Sequence, residues 1–194
     1  MKIGRRTFLR LVAQFSAAGV LVGFIPTYVR SWKTPVRPPG AVEEDLFLAR
    51  CLRCGRCLEV CPTGAITLAG VEDGLMAVGT PTVDALRGPC EAFAGRCDGL
   101  LPCVRSCPSG ALQWGRGIKI GSAEIDRSLC IAWKRNGGCV VCKEVCPVPE
   151  AIQVGEKKPH FNPDACIGCG RCVYACPAEP KALKVTSMGV LRTR

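Results

Sequence analysis

The sequence has a single histidine, His160, and no motif for binding a nucleotide, a phosphate or a covalently attached haem. There is no G-x-G-x-x-G opening a helix, no phosphate-binding loop of the G-x-x-x-x-G-K-[ST] type and no C-x-x-C-H. One histidine also leaves no Ser–His–Asp or Cys–His arrangement for nucleophilic catalysis. We therefore expect no catalytic residue in this chain.

Aromatic side chains are scarce as well, at 6% of 194 residues, so few large groups are available to build an apolar core. A chain of this length forms one domain or two small fused ones. Its 16 cysteines are at the level where a cross-linked or metal-bound framework is expected. We therefore expect covalent or metal bonds of the cysteines to supply the stability that a small apolar core cannot.

The cysteines fall into four groups of four, and every group ends in C-x3-C-P. The first and fourth groups share the spacing C-x2-C-x2-C-x3-C-P, which is typical of bacterial ferredoxins that bind [4Fe–4S] clusters. The second and third groups have longer loops before the final C-x3-C-P. We predict that all sixteen cysteines are iron ligands: Cys51, Cys54, Cys57, Cys61, Cys90, Cys97, Cys103, Cys107, Cys130, Cys139, Cys142, Cys146, Cys166, Cys169, Cys172 and Cys176.

Disulfides and zinc sites are the two other interpretations of these cysteines. Cysteines three residues apart in a tight loop are badly placed for long-range disulfides, although an exported protein would permit them. Zinc sites usually pair two C-x2-C elements across a longer gap or recruit histidine, and only His160 exists here. The tight spacing instead suits a curled loop around a cluster, and Gly55 and Gly170 can supply the positive φ that such a curl requires.

A short phrase that partly alternates apolar and polar side chains follows each Cys-Pro and predicts a short strand. These phrases cover residues 64–68, 110–114, 151–154 and 181–185. Residues 125–127 and 161–164 are predicted to form the strands and turns that lead into the third and fourth groups. The expected fold class is α+β and ferredoxin-like, with short strands and no helix longer than about three turns.

The amino-terminal segment has the pattern of an export signal. Arg5-Arg6, followed by Phe8-Leu9, resembles a twin-arginine signal and predicts a periplasmic location. The apolar stretch Leu11–Ile25 is too short and too mild to predict a membrane span with certainty, and no small-x-small cleavage site follows it. Cleavage and retention as an amino-terminal anchor both stay open. We divide the chain into a signal or anchor at residues 1–30, a Pro-rich linker at 31–45 and a cluster-binding domain at 46–190.

The whole layout resembles the ferredoxin-type subunits of the MauM/NapG kind. The resemblance is carried by the Arg5-Arg6 signal, Arg37-Pro38-Pro39-Gly40-Ala41, the run Cys51–Pro62, Gly79-Thr80-Pro81 and Cys107–Leu112. It implies a non-catalytic electron carrier with four [4Fe–4S] clusters, associated with the periplasmic face of the membrane. Its expected partners are an integral membrane iron–sulfur quinol dehydrogenase and a periplasmic cytochrome or reductase. The loop from Cys90 to Cys97 is longer than the family pattern has.

The resemblance also bears on how the groups pair into two modules, each with two clusters. Related four-cluster subunits nest one module inside another, which would pair the first group with the fourth and the second with the third. Pairing in sequence order fits the connecting lengths almost as well. The nested assignment gives the sets Cys51, Cys54, Cys57 and Cys176; Cys166, Cys169, Cys172 and Cys61; Cys90, Cys97, Cys103 and Cys146; and Cys130, Cys139, Cys142 and Cys107.

Two functions of other kinds compete with the electron relay. One is an iron–sulfur subunit in direct contact with the catalytic chain of a molybdenum oxidoreductase or hydrogenase. The other is a disulfide-rich secreted binding protein without redox function. The chain's own Arg5-Arg6 signal and its lack of long extra loops favour the relay over the first alternative.

Several side chains near the cysteines could be functional or merely solvated. Arg53, Arg56 and Arg171 lie between predicted ligands, where they could raise cluster potentials or dock an acidic partner. The basic loop at residues 133–138 is either a docking loop or a solvated insertion. Trp114 and Trp133 are expected to be packing or interface residues rather than electron relays.

The net charge of +10 would ordinarily suggest a nucleic-acid or membrane-surface partner. An oxidised [4Fe–4S] core with four thiolates carries about −2, so four such sites lower the total to about +2. The basic excess then consists of counter-charge for the clusters and of the signal itself. We therefore expect no nucleic-acid partner.

Overall fold

The computed structural model describes residues 34–97, 99–115, 117–135 and 137–190. The predicted export signal at residues 1–30 lies outside the described residues. Within the described ranges, no helix is both long enough and apolar enough to cross a membrane.

Short helices alternate with short strands along the described part of the chain, as the α+β expectation requires. The helices are α1 (Glu44–Arg50), α2 (Arg56–Glu59), α3 (Pro102–Arg105), α4 (Ile131–Lys134), α5 (Val141–Glu144) and α6 (Arg171–Tyr174). The strands are β1 (Ile66–Leu68), β2 (Pro81–Val83), β3 (Ser122–Ile125), β4 (Ile152–Gly155), β5 (Lys158–Phe161) and β6 (Leu183–Thr186). Single 3₁₀ turns occur at Val71–Asp73 and Pro149–Ala151.

The strands pair into three antiparallel ribbons. β1 pairs with β2 so that Ile66 faces Val83, and β4 pairs with β5 so that Ile152 faces Phe161. β3 pairs with β6 across 57 intervening residues, in the register that sets Ile125 opposite Leu183. Three of the four strands predicted after Cys-Pro are therefore present. The strand predicted at residues 110–114, after the second group, is wrong. These residues form only a single bridge, between Ala41 and Leu112.

The elements assemble into two modules that follow each other along the chain. In the first module, α2 packs against α3 beside the β1–β2 ribbon, over a core that includes Phe47 and Val104. In the second module, α5 packs against α6 between the other two ribbons, over a core that includes Ile152 and Val173. Cysteines contribute to both cores, which compensates for the scarcity of large apolar side chains.

A small apolar layer joins the modules. Val36, Ala65, Val83 and Ile120 are buried together there, and Val185 of β6 packs against them. The backbone N–H of Ile120 donates to the carbonyl of Ile167, which ties the connection between the modules to the second one.

The predicted Pro-rich linker is wrong for its described part, residues 34–45. Residues 35–42 are buried, and we call them the strap. The Val36 carbonyl accepts hydrogen bonds from the Val83 backbone and the Thr82 hydroxyl, and the Gln113 N–H donates to the Gly40 carbonyl. A chain with these pairings is part of the folded body, which therefore begins well before residue 46.

The buried side chain of Arg37 anchors the strap. Its guanidinium binds the Glu44 carboxylate at 2.5 Å and donates to the Thr80 hydroxyl at 2.7 Å and the Pro81 carbonyl at 2.8 Å. It also lies 4.6 Å from the centre of the Phe47 ring. A buried arginine is tolerated because these partners occupy its donors and balance its charge.

Candidate iron–sulfur centres

Each cysteine run ends in the same local structure, a loop followed by one short helix, and the third run also contains α4 directly after Cys130. The third cysteine is the second residue of that helix in all four runs, namely Cys57 in α2, Cys103 in α3, Cys142 in α5 and Cys172 in α6. Gly55 and Gly170 precede α2 and α6 with φ of 78° and 76°. The positive φ expected of these glycines is confirmed, and it turns the loop so that consecutive cysteines face one side.

Asx turns lead the chain into three of the runs. Asp84 accepts a hydrogen bond from the Leu86 N–H, Asp126 from the Ser128 N–H and Asn162 from the Asp164 N–H, all through side-chain oxygens. Such turns reverse the chain locally without needing glycine. Only the last two lie in segments that the sequence predicts as turns. An aspartate or asparagine four to six residues before the first cysteine is the signal that would have found all three.

The helix pairs bring the fourth cysteine of one run next to the first three of its neighbour. The structure shows three cavities, each lined by four cysteines, and we number these sets of four as quartets. Quartet 1 is Cys51, Cys54, Cys57 and Cys107; quartet 2 is Cys61, Cys90, Cys97 and Cys103; quartet 3 is Cys146, Cys166, Cys169 and Cys172. The three cavities are close to one another in size, which fits three occupants of one kind.

The remaining four cysteines form quartet 4. Cys130 and Cys139 are close enough to Cys142 for their charges to raise its pKa. Cys176 is buried in the same core of the second module. We assign Cys176 to this quartet because the fourth cysteine of every other run joins the set of its neighbouring run.

The nested pairing of the groups is wrong. It would place Cys176 with Cys51 and Cys61 with Cys166, but these residues lie in the cores of different modules. The structure instead pairs the first group with the second and the third with the fourth. The physical reason is that α2 docks on α3 and α5 docks on α6, so the fourth cysteine of each run lies beside the other run of its own module.

The arrangement of thiols suits a cluster of several irons. Among the residues that the structure describes, no three His, Cys, Asp or Glu side chains converge where a single metal ion could sit. The thiols surround a shared cavity instead, so that every iron of a cubane can take its own cysteine. The donor set and the cavities therefore fit [4Fe–4S] clusters.

Burial and crowding raise the pKa of several of these thiols. Burial, together with the neighbouring cysteines of the same quartets, raises the pKa of Cys57 to about 11 and that of Cys90 and Cys103 to about 12. The same causes raise the pKa of Cys142 to about 11 and raise that of Cys172. A metal that takes such a thiol as ligand has to displace its proton, and four thiolates in one cavity require the positive charge of iron.

Two cysteines of the first module have the opposite shift. Burial alone would raise the pKa of Cys61, but hydrogen bonds from the Thr63 hydroxyl and from nearby backbone N–H groups lower it overall. Cys107 follows the same pattern, with backbone N–H groups and the Ser109 hydroxyl as donors. The hydroxyls lie 3.5 Å from Cys61 Sγ and 3.6 Å from Cys107 Sγ. These turns are built to stabilise a thiolate.

The four quartets form a continuous line. Cys57 of quartet 1 lies near Cys103 of quartet 2, and Cys142 of quartet 4 lies near Cys172 of quartet 3. Between the modules, the backbone N–H of Cys90 in quartet 2 donates to the carbonyl of Cys169 in quartet 3 at 2.7 Å. The order in space is therefore 1, 2, 3, 4, with quartets 1 and 4 at the ends.

The three arginines that lie between predicted ligands have different contacts in the structure. Arg53 donates to the carbonyls of Val78 and Met76 at 3.0 Å and so braces the loop before β2. Arg56 is exposed on α2. Arg171 reaches from the second module to the Glu91 carboxylate and the Ala94 carbonyl of the first.

Trp133 is a packing residue beside quartet 4, as expected. Its ring contacts the guanidinium of Arg127 at 4.4 Å and meets the His160 ring edge-on at 5.5 Å. His160 lies exposed within β5. Trp114 is 55% exposed.

Two consecutive modules, each with paired cysteine runs and exchanged fourth cysteines, define a ferredoxin-type iron–sulfur protein. Comparison with protein families agrees. A model described as a 4Fe-4S dicluster domain matches residues 50–111, which hold quartets 1 and 2. A model described as a 4Fe-4S binding domain matches residues 158–183 in the second module.

The chain belongs to the family of NapG and MauM ferredoxin-type proteins. Ferredoxin-type protein NapG of Escherichia coli (strain K12) is 35% identical, over 97% of this chain and 88% of the relative. NapG of Haemophilus influenzae is 33% identical, over 97% and 73%. Methylamine utilization ferredoxin-type protein MauM of Methylorubrum extorquens is 32% identical, over 85% and 78%. The resemblance noted from the sequence motifs is confirmed.

Proposed function

We propose that this chain is a periplasmic relay that carries single electrons along four [4Fe–4S] clusters, one in each quartet. The continuous line of four quartets is the observation that carries the proposal. When bound, a [4Fe–4S] cluster accepts and releases one electron without a change of ligands. The chain's own residues hold each thiol in place, exclude water from the cavities and set the spacing between neighbouring quartets.

The partners that we propose are an integral membrane iron–sulfur quinol dehydrogenase as the donor and a periplasmic cytochrome or reductase as the acceptor. Support comes from membership in the NapG and MauM family. The order of the quartets supports it too, because a row of neighbouring quartets has two different terminal members that can serve two partners. Export by the twin-arginine route would let the clusters be assembled in the reducing cytosol before transport.

Anaerobic purification of the full chain tests the cluster assignment. We expect about 16 iron atoms and as many sulfides per chain, four of each for every cluster. The brown colour should bleach with a strong reductant, and the reduced protein should show EPR signals of several interacting clusters. A colourless, iron-free protein with oxidised cysteines would contradict the proposal.

A further inference from the structure

The two modules meet at the backbone of two predicted ligands. The Cys90 N–H donates to the Cys169 carbonyl at 2.7 Å, which joins quartet 2 directly to quartet 3. Cys169 is also near enough to Cys90 that its charge contributes to the raised pKa of Cys90. This hydrogen bond gives a direct backbone route between the two modules.

The close approach at this junction depends on a residue without a side chain. A Cβ added to Gly170 would lie 2.6 Å from the Cβ of Ala85, a distance that packed atoms do not tolerate. Gly55 occupies the same position in the first run with nearly the same φ, yet a Cβ there would meet nothing within 4 Å. The crowding at Gly170 therefore belongs to the junction and not to the cysteine loop itself.

Arg171, the residue after Gly170, spans the junction. Its Nη2 donates to the Ala94 carbonyl at 2.7 Å and lies 3.4 Å from the Glu91 carboxylate. Both partners belong to the loop between Cys90 and Cys97. The Glu91 side chain is 12% exposed and that of Arg171 29%, so water screens this pair less than it would a surface pair.

Other contacts hold the same loop in the shape that Arg171 recognises. The Glu91 carboxylate accepts from the Arg96 backbone N–H at 2.9 Å and from the Arg96 Nε at 3.1 Å. These bonds close the loop on itself and aim one carboxylate oxygen and the Ala94 carbonyl at the second module. The loop thus supplies the acceptors for an arginine on the other module.

We propose that Arg171 is a positioning residue that holds quartets 2 and 3 at the Cys90–Cys169 contact, so that electrons cross between the modules there. This inference rests on the proposed relay function, since only a relay needs a constant spacing between the quartets. One electron enters the line from the donor for each electron that leaves to the acceptor, and no bond is made or broken. Arg171 acts through the loop that begins at Cys90 and through Cys169, its near neighbour in the chain.

Hydrogen exchange and EPR on the loaded, full-length protein test the proposal. In Arg171→Ala, the Cys90 amide should exchange about tenfold faster, because the loss of a charge-assisted hydrogen bond frees the loop that follows it. The magnetic coupling between quartets 2 and 3, seen as line splitting in the fully reduced protein, should weaken. Iron content should stay at the level of the unchanged protein.

Arg56→Ala is the matched control. Arg56 holds the same place in Cys-Gly-Arg-Cys, so its loss removes the same charge beside a cluster without touching the junction. It should leave both the exchange of the Cys90 amide and the coupling unchanged. A similar effect in both variants would assign the result to charge alone and overturn the proposal.

Iron loss from the variant and unchanged exchange of the Cys90 amide are the other possible outcomes. If Arg171→Ala loses iron, Arg171→Lys takes its place: it keeps the charge but cannot reproduce the planar fork, so a smaller rise in Cys90 exchange is expected. Protection of the Cys90 amide equal to that of the unchanged protein, in an iron-loaded Arg171 variant, would overturn the proposal while leaving the relay function intact. A lack of iron in the unchanged protein would contradict the relay function instead.

Discussion

At the scale of residues, the first module differs from the second in the turn that follows the fourth cysteine of each run. Cys61 and Cys107 are followed at the second position by Thr63 and Ser109, whose hydroxyls contact the sulfurs. Cys146 and Cys176 have Val148 and Ala178 at that position. Hydroxyl and N–H donors favour the more negative state of a sulfur-bound centre, so they raise its reduction potential.

We expect Thr63→Val to lower the potential of quartet 2, and Ser109→Ala to lower that of quartet 1. A hydrogen bond worth about 1 kcal/mol more in the reduced state corresponds to roughly 40 mV for one electron. EPR-monitored redox titration measures the shift. Ser106→Ala is the control, because its hydroxyl donates to the Cys103 carbonyl and not to sulfur. An equal shift in the control, or a shift in the module's other quartet, would contradict this assignment.

The local grouping of the cysteines within each run was predictable from the sequence, whereas the pairing of the runs was not. The spacing of Cys51, Cys54 and Cys57 is a local property, because three thiols on one curled loop need no information from the rest of the chain. The fourth cysteine depends on which helix docks beside it. Cys107 joins quartet 1 only because α3 packs on α2, and nothing in the spacing of the runs states this contact.

At the scale of elements, the composition of the strap predicts a linker, whereas the structure shows a buried segment. Three prolines between residues 34 and 40 predict a semi-rigid linker, yet Pro38 and Pro39 are among the most completely buried residues. Proline suits a buried strand that needs few backbone donors, so its presence does not distinguish a linker from an embedded segment. The signal that could have distinguished them is the charged pair Arg37 and Glu44, seven residues apart and bracketing apolar residues.

We expect Arg37→Ala to destabilise the protein by about 3–5 kcal/mol, the cost of breaking a buried ion pair from one side. The change leaves the Thr80 hydroxyl and the Pro81 carbonyl without this donor and opens a void beside Phe47. Guanidinium unfolding of the iron-loaded protein, followed by cluster absorbance, measures the loss. Arg105→Ala, an exposed arginine at the end of α3, should change the midpoint little. Equal midpoints for the two variants would show that the strap is not anchored by Arg37.

At the scale of the whole molecule, quartet 1 differs from the other three quartets in having an exposed cysteine. Cys54 of quartet 1 is exposed, whereas Cys103 of quartet 2 and Cys172 of quartet 3 are buried. Oxidants and alkylating reagents reach thiolates in the order of their accessibility. Oxidation should therefore destroy a cluster in quartet 1 before clusters in quartets 2 and 3.

We expect Cys54 to be alkylated before Cys103 and Cys172 when the loaded protein is exposed to iodoacetamide during slow oxidation. Mass spectrometry of peptides taken over time measures the order. The Cys103 peptide serves as the control within the same molecule, because it belongs to the same module. Simultaneous labelling of Cys54 and Cys103 would mean that the two quartets open together and would contradict the expectation.

The described chain begins beside the contact between the two modules. The carbonyl of Thr34 accepts a hydrogen bond from the Ser187 hydroxyl, and Val36 is buried in the layer that joins the two modules. Because Val36 packs in this layer, a change in the strap would disturb both modules at once and with them the spacing between quartets 2 and 3.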